Sequence, residues 1–178
     1  MIGRQDERGA AAVELALVLP VLLLILFGII EYSLMFKDSL TMASTSRAGA
    51  RMASAAPRSP TMAEDTISSV LSSLEALPDG AIEEVWIYQA DADGEPECTT
   101  DTCYRYVANG DELRLMDGYA WEVADRNACV GDPEADRVGV YVRAERAFLS
   151  GFFPGSMTLT DHTVMRLEPV TSLEGCRG

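Results

Sequence analysis

Gly9, Ala10 and Glu14 have a spacing that would let new chemistry arise near the amino terminus. If a peptidase cut the Gly9–Ala10 bond, Ala10 would carry a fresh ammonium group and Glu14 would become the fifth residue of the shortened chain. That carboxylate could then pair with the α-amine of a neighbouring subunit. Mutual neutralisation in a low-dielectric setting would set the axial stagger of the packed helices. The plainer alternative is that Glu14 snorkels to lipid headgroups or is carried in neutral form, at a cost that falls towards the membrane interface.

Four cysteines form the second set: Cys98, Cys103, Cys129 and Cys176. An even number, all distant from the amino terminus, suggests disulfides in an oxidising compartment. Three pairings are possible. Cys98–Cys103, closing a short loop, with Cys129–Cys176 tying down the carboxyl terminus, is the favoured one. A zinc site is the weaker reading, because there is no Cys-x-x-Cys and the lone histidine, His162, is far from a ligand cluster in sequence. Free structural thiols are the third.

Other candidates carry less. His162 follows Asp161, but no nucleophile-elbow motif accompanies it, and a single histidine in a strand is usually structural. Asp91-x-Asp93-Gly94 is a fragment of a calcium loop. It has Gln89 at the first position and Thr100 at the twelfth, where a bidentate Glu belongs. There is no phosphate-binding glycine loop. No residue set points to catalysis, and no cofactor is implied.

The element that must position Glu14 is the run Ala10 to Ile30. Every residue in it is apolar except Glu14, with Pro20 as the one helix breaker. As a helix it spans about 30 Å, the thickness of a bilayer core. A buried core helix would need protein on all sides, and the rest of this chain is too small and polar to supply it. A cleaved secretory signal would have a shorter apolar region followed by a small-x-small site. The run therefore reads as a retained membrane helix. Pro20 removes one backbone hydrogen bond and pushes on the carbonyl of Ala16, which predicts a kink.

The stretch R-G-A-A-A-V-E-L-A-L-V-L-P, followed by F-G-I-I-E-Y, resembles the TadE-like pseudopilin family of the tight-adherence (Tad/Flp) pilus system. S-R-A-G-A-R-M-A-S-A-A (Ser46 to Ala56) is similar to the small-residue segment after that family's membrane helix. T-V-M-R-L-E-P (Thr163 to Pro169) resembles, more loosely, its closing strand. The resemblance implies that a prepilin peptidase cuts between Gly9 and Ala10, and that Glu14 is the assembly carboxylate. It also implies that the partners are other pilin-like subunits and Tad inner-membrane platform proteins. Ala10 departs from the methylated aromatic residue with which pilins cut this way usually begin.

Charge narrows the class further. The net charge is −14. Between Glu64 and Asp136 there are 19 Asp or Glu against three Arg. Such a surface repels phosphate backbones, so nucleic acid is excluded as a partner, and it disfavours docking on anionic lipid. Lys37, Arg47 and Arg51 follow the apolar run, so charge alone does not orient the helix. The cysteines, the acidic remainder and the family resemblance put the amino terminus inside.

Along the chain, residues 1–9 read as a cytoplasmic leader too short to fold, 10–36 as the transmembrane helix, and 37–178 as an extracytoplasmic α+β domain. The helical pattern continues, amphipathic and rich in small residues, to about Ala56, where Pro57 and Pro60 stop it. Ala48, Gly49, Ala53 and Ala56 predict close packing there. Thr61 to Leu77 predicts a second helix. Thr61 and Glu64 would form its capping box, and Ile67, Val70, Leu71 and Leu74 its apolar face. Strands are predicted over Ile82–Ala90, Cys103–Ala108, Val138–Phe148 and Met157–Leu167, the last two pairing antiparallel as the sheet core. Leu113–Val123 reads as loop with a little strand around Trp121, and 151–155 as a turn around Phe152 and Phe153.

The fold class is thus α+β: a long membrane-spanning helix continuing into an amphipathic one, a second helix, and a small antiparallel sheet. The function expected is that of a minor pseudopilin or assembly factor in the cytoplasmic membrane. The alternative is a membrane-tethered binding or sensor domain that uses the helix only as an anchor.

Overall fold

The computed structural model describes residues 3–75, 77–78, 80–110, 112–129, 134–149, 151 and 154–170, with side chains from Gly9 onwards. The leading helix α1 runs over Gly3–Ala55 without interruption, across Pro20. Its 53 residues make a rod of about 80 Å. The leader is therefore helical from Gly3, contrary to the expectation that it is too short to fold. A nine-residue peptide cannot nucleate a helix alone, but extending an existing one adds a hydrogen bond per residue fixed.

Helix α2 covers Met62–Leu74 and folds back along the distal part of α1. Its buried face is Met62, Ala63, Thr66, Ile67, Val70 and Leu74. Leu71, expected on that face, is exposed. The predicted capping box does not form. Thr61 is not in the extended conformation a cap needs, and its hydroxyl bonds the Asp65 carboxylate at 2.9 Å and meets the Ser59 hydroxyl at 2.9 Å. The helix also ends a turn earlier than its apolar pattern suggested.

Five strands follow: β1 Ile82–Ala90, β2 Cys103–Asn109, β3 Glu112–Leu115, β4 Arg137–Ala147 and β5 Ser156–Arg166. They form one antiparallel sheet in the order β3-β2-β1-β4-β5. β4 and β5 do pair along their full length, but the centre of the sheet is β1, and β5 is an edge. The strand predicted near Trp121 is instead β3, a short hairpin partner of β2 reached through Gly110, whose φ of 69° suits glycine. Trp121 lies beyond it in irregular chain, fully buried as a plug in the core. The predicted turn around Phe152 and Phe153 lies outside the described residues, as do Cys176 and therefore the proposed Cys129–Cys176 pair.

One sheet face packs on both helices. Val138, Val140, Val142 and Ala144 of β4 alternate inward, as their spacing predicts, and join Val85 and Ile87 of β1 against Met42, Ala50, Ala53, Ile67 and Val70. The other face is capped by the β1–β2 connection, which folds over Tyr88 and is closed by the Cys98–Cys103 disulfide. Burial pushes the Tyr88 hydroxyl up to about 12, with Glu95 and Asp91 adding to it. Tyr106 is raised to about 12 by burial, with smaller help from Glu64 and Tyr104.

Two outcomes follow from this packing. A Cβ on Gly49 would lie 2.7 Å from Val70 Cγ2 and 3.1 Å from Val140 Cγ1. Gly49→Val should therefore cost about 1–3 kcal/mol by overpacking, read as a lower denaturation midpoint of the full chain in detergent. Tyr88 and Tyr106 hold their protons more tightly folded than unfolded. Their contribution to stability is complete below their ordinary value of 10.0 and is lost as pH rises towards about 12. A phenolate absorbance titration of the folded chain should show a fraction ionising only near that upper limit.

Candidate functional site

The candidate site is the surface of α1, divided into two stripes by what covers it. One stripe, Glu31, Met35, Asp38, Met42, Ser46, Gly49 and Ala53, is buried against the rest of the chain. These positions recur every three or four residues, so they share one face. Gly49 and Ala53 bring the helix backbone close to α2 and β4 as expected, joined by Ala50, whereas Ala48 and Ala56 are only half-buried.

Polar links fix the register of this face. Asp38 pairs with Arg146 of β4 at 2.8 Å, with the two side chains 2% and 11% exposed. Ser46 donates to the Asp161 carboxylate of β5 and lies 2.9 Å from the Thr163 hydroxyl. Near the top of the helix, Glu168 N–H donates to the Ser54 carbonyl at 2.9 Å. A buried ion pair is weak evidence for stability but strong evidence for register, because either charge left alone is expensive.

Residues 9–26 are exposed on every face. Within that surface Glu14, Val18, Val21 and Ile25 align at helical spacing with Ile29, Tyr32, Phe36 and Leu40, which stay open beside the covered face. The apolar members of this open stripe are all at least half exposed. The last three lie beyond Ile30, where the apolar run ends, and Leu40 lies beyond the expected span of 10–36 as well. Gly9, Ala10 and Glu14 are exposed too. Ala10 and Glu14 sit one turn apart, about 6 Å along the axis. Gly9 lies inside the helix, where glycine is worth roughly 1 kcal/mol less than alanine, so opening the backbone at that bond is comparatively cheap.

One helix of the described chain is long and apolar enough to cross a membrane, and its most apolar window has no protein around it. Residues 9–51 match the family model described as TadE-like protein. No curated protein and no solved structure matches the chain. The TadE-like segment lies wholly within α1. It contains the Gly9–Ala10 bond, Glu14, Pro20 and all of the exposed stripe, and it ends near the carboxyl end of α1, ahead of α2 and the sheet.

The remaining candidates resolve into structure. Asp91 Oδ1 accepts the backbone N–H groups of Asp93 and Gly94 at 3.1 and 2.9 Å, so this carboxylate shapes the turn. His162 is exposed on β5 opposite Tyr141. Sequence reasoning missed Arg126. Its guanidinium is fully buried, donates to the carbonyls of Trp121, Pro57 and Ser59 and to the Tyr104 hydroxyl, and packs over the Tyr104 and Trp121 rings. It ties the α1–α2 turn to the loop before β4. Its partners are mostly backbone carbonyls, with the Tyr104 hydroxyl, scattered along the chain, so no sequence pattern could have marked it.

Asp38→Ala should destabilise the chain by about 3–5 kcal/mol by stranding Arg146. The double variant with Arg146→Met should recover most of that loss. Chemical denaturation of the two variants beside the parent checks both.

Proposed function

We propose that this protein is a minor pseudopilin or assembly factor of a tight-adherence pilus, working by helix packing and not by catalysis. The observation that carries this reading is the exposed stripe running from Glu14 to Leu40 along the TadE-like segment. An anchor alone needs apolar side chains only as far as the lipid reaches. Tyr32 and Phe36 carry that surface to the end of the span and Leu40 carries it past, on a face the sheet leaves open, and a second helix is the partner that would cover it.

In this reading residues 1–9 form a cytoplasmic leader, 10–36 the transmembrane helix and 37–178 the extracytoplasmic domain. The partners are pilin-like subunits, Tad inner-membrane platform proteins and a prepilin peptidase, which cuts at Gly9–Ala10. Glu14 then meets the new amine of a neighbour, where both charges are drawn out of a medium that penalises each alone. Pro20 supplies a bend during extraction from the bilayer. The disulfide at Cys98–Cys103 fits an oxidising compartment, in line with an extracytoplasmic head.

The test is the intact mass of the membrane-extracted protein from cells with and without the prepilin peptidase. A peptidase-dependent loss of Met1–Gly9 is the expected result. An uncut chain removes the basis for the Glu14 ion pair and favours a tethered binding domain. Glu14→Ala should leave insertion unchanged and sharply reduce pilus assembly, scored by surface filament yield. Normal assembly by that variant would sink the role given to Glu14.

A further inference from the structure

We propose that the open face of α1 above the membrane docks into a groove beside β3 on the head of a second copy, joining neighbours by a charged contact. This deepens the reading above and rests on it for the parallel, side-by-side setting of the helices. Arg47 and Arg51 follow Leu40 by about two and three helical turns, so they continue the open stripe on the same face. Both are exposed, and neither side chain has a hydrogen-bond or ion-pair partner among the described residues. Lipid does not account for them. Arg47 lies about 16 Å beyond residue 36, whereas a headgroup layer adds only about 5–8 Å a side.

The groove lies at the opposite edge of the sheet from β5. It encloses about 470 Å³ and is lined by Leu115, Met116, Asp101, Asp117, Glu122 and Asp125. Leu115 is 44% exposed and Met116 43%, two of the few large apolar side chains left open outside α1 among the described residues. None of the four carboxylates has an ion-pair partner among those residues. The cations of that edge are already engaged: Arg105 pairs with Glu84 at 2.6 Å and Arg114 with Glu112 at 3.9 Å. The chain thus carries a cationic face and an anionic, partly apolar groove that do not meet within one copy. They also stand at roughly one level. Met116 N–H donates to the Arg105 carbonyl at 2.8 Å, and Arg105, Trp86 and Tyr141 form one rung of the sheet. Tyr141 adjoins Val140, whose side chain lies against Gly49, between Arg47 and Arg51. Parallel helices in one membrane keep that level in every copy, and a Glu14–Ala10 pair between copies shifts it by only one turn, about 6 Å.

Each guanidinium can take a carboxylate through two parallel N–H donors while its alkyl stem lies on Leu115 or Met116. The two joined surfaces differ, so the contact is heterologous. A copy that gives its helix still has its groove free, and copies can be added in series. The contact should weaken as salt is raised, because the screening length falls from about 10 Å at 0.1 M to about 3 Å at 1 M. An apolar stripe buried in lipid has no such dependence.

The test uses the full chain in phosphatidylcholine vesicles, with donor or acceptor dyes at the carboxyl terminus, and reads energy transfer between copies. Arg47→Glu/Arg51→Glu and Asp117→Arg/Asp125→Arg, each alone, should lose transfer severalfold. An equal mixture of the two should regain it, because the reversed helix of one then meets the reversed groove of the other. Glu64→Arg/Glu75→Arg, at the two ends of α2, makes the same change of net charge as the groove variant and should leave transfer unchanged. Transfer that survives both reversals, or that the mixture fails to restore, overturns the contact. Equal loss in the α2 variant means general charge repulsion and overturns it too. No transfer in the parent overturns a second copy as the occupant. Intact mass of the same protein, drawn from cells with the prepilin peptidase, separates the two readings. A cut chain without the charged contact overturns the contact alone, whereas an uncut chain that still shows it overturns the pseudopilin reading alone.

Discussion

The docking of the sheet on one face of α1 is the constraint on which the rest of the structure depends. It works because Gly49, Ala50 and Ala53 present almost no side chain where β4 and α2 press against the helix. Backbones can then approach closely enough for Val70 and Val140 to interlock there. The Asp38–Arg146 pair and the Ser46–Asp161–Thr163 cluster lie along the same face. Apolar contact supplies most of the attraction, which has no direction. The polar links choose one register among several that apolar packing alone would tolerate.

Because only one face is taken, α1 does two jobs. Its distal half is the spine of the head, and its proximal half stands free of protein. The open stripe crosses the boundary between the two halves. A helix that served only the fold would be polar on that side at Tyr32, Phe36 and Leu40. A helix that served only as an anchor would not carry small residues at 49, 50 and 53. The TadE-like match spans both regions, in keeping with a segment whose two faces answer to different partners.

The head adds its own closures. Arg126 satisfies its donors on carbonyls from the α1–α2 turn and the Trp121 loop, so chain far apart in sequence is held at one point. The outer sheet face is sealed by the β1–β2 connection and its disulfide, over Tyr88. A Cβ on Gly139 would strike the Tyr88 ring, which explains why a strand otherwise rich in valine has a glycine there.

Local pattern determined a great deal. The unbroken apolar run, the small-residue segment, the Ile82–Ala90 and Val138–Ala144 strands and the second helix were all legible, because hydrophobic periodicity and length are properties of neighbouring residues. What depended on distant residues was not. Thr61 gave up its cap for Asp65 and Ser59, β1 took the centre of the sheet, and a short β3 formed where a loop was expected because β2 offered it an edge. The pairing of Asp38 with Arg146 and the burial of Arg126 are likewise decided only when the chain folds back on itself. The sequence by itself determined which stretches are helix, strand and membrane-long. Only the tertiary structure decided which face of the long helix is spent on the head and which remains open, since that depends on contacts between residues a hundred positions apart.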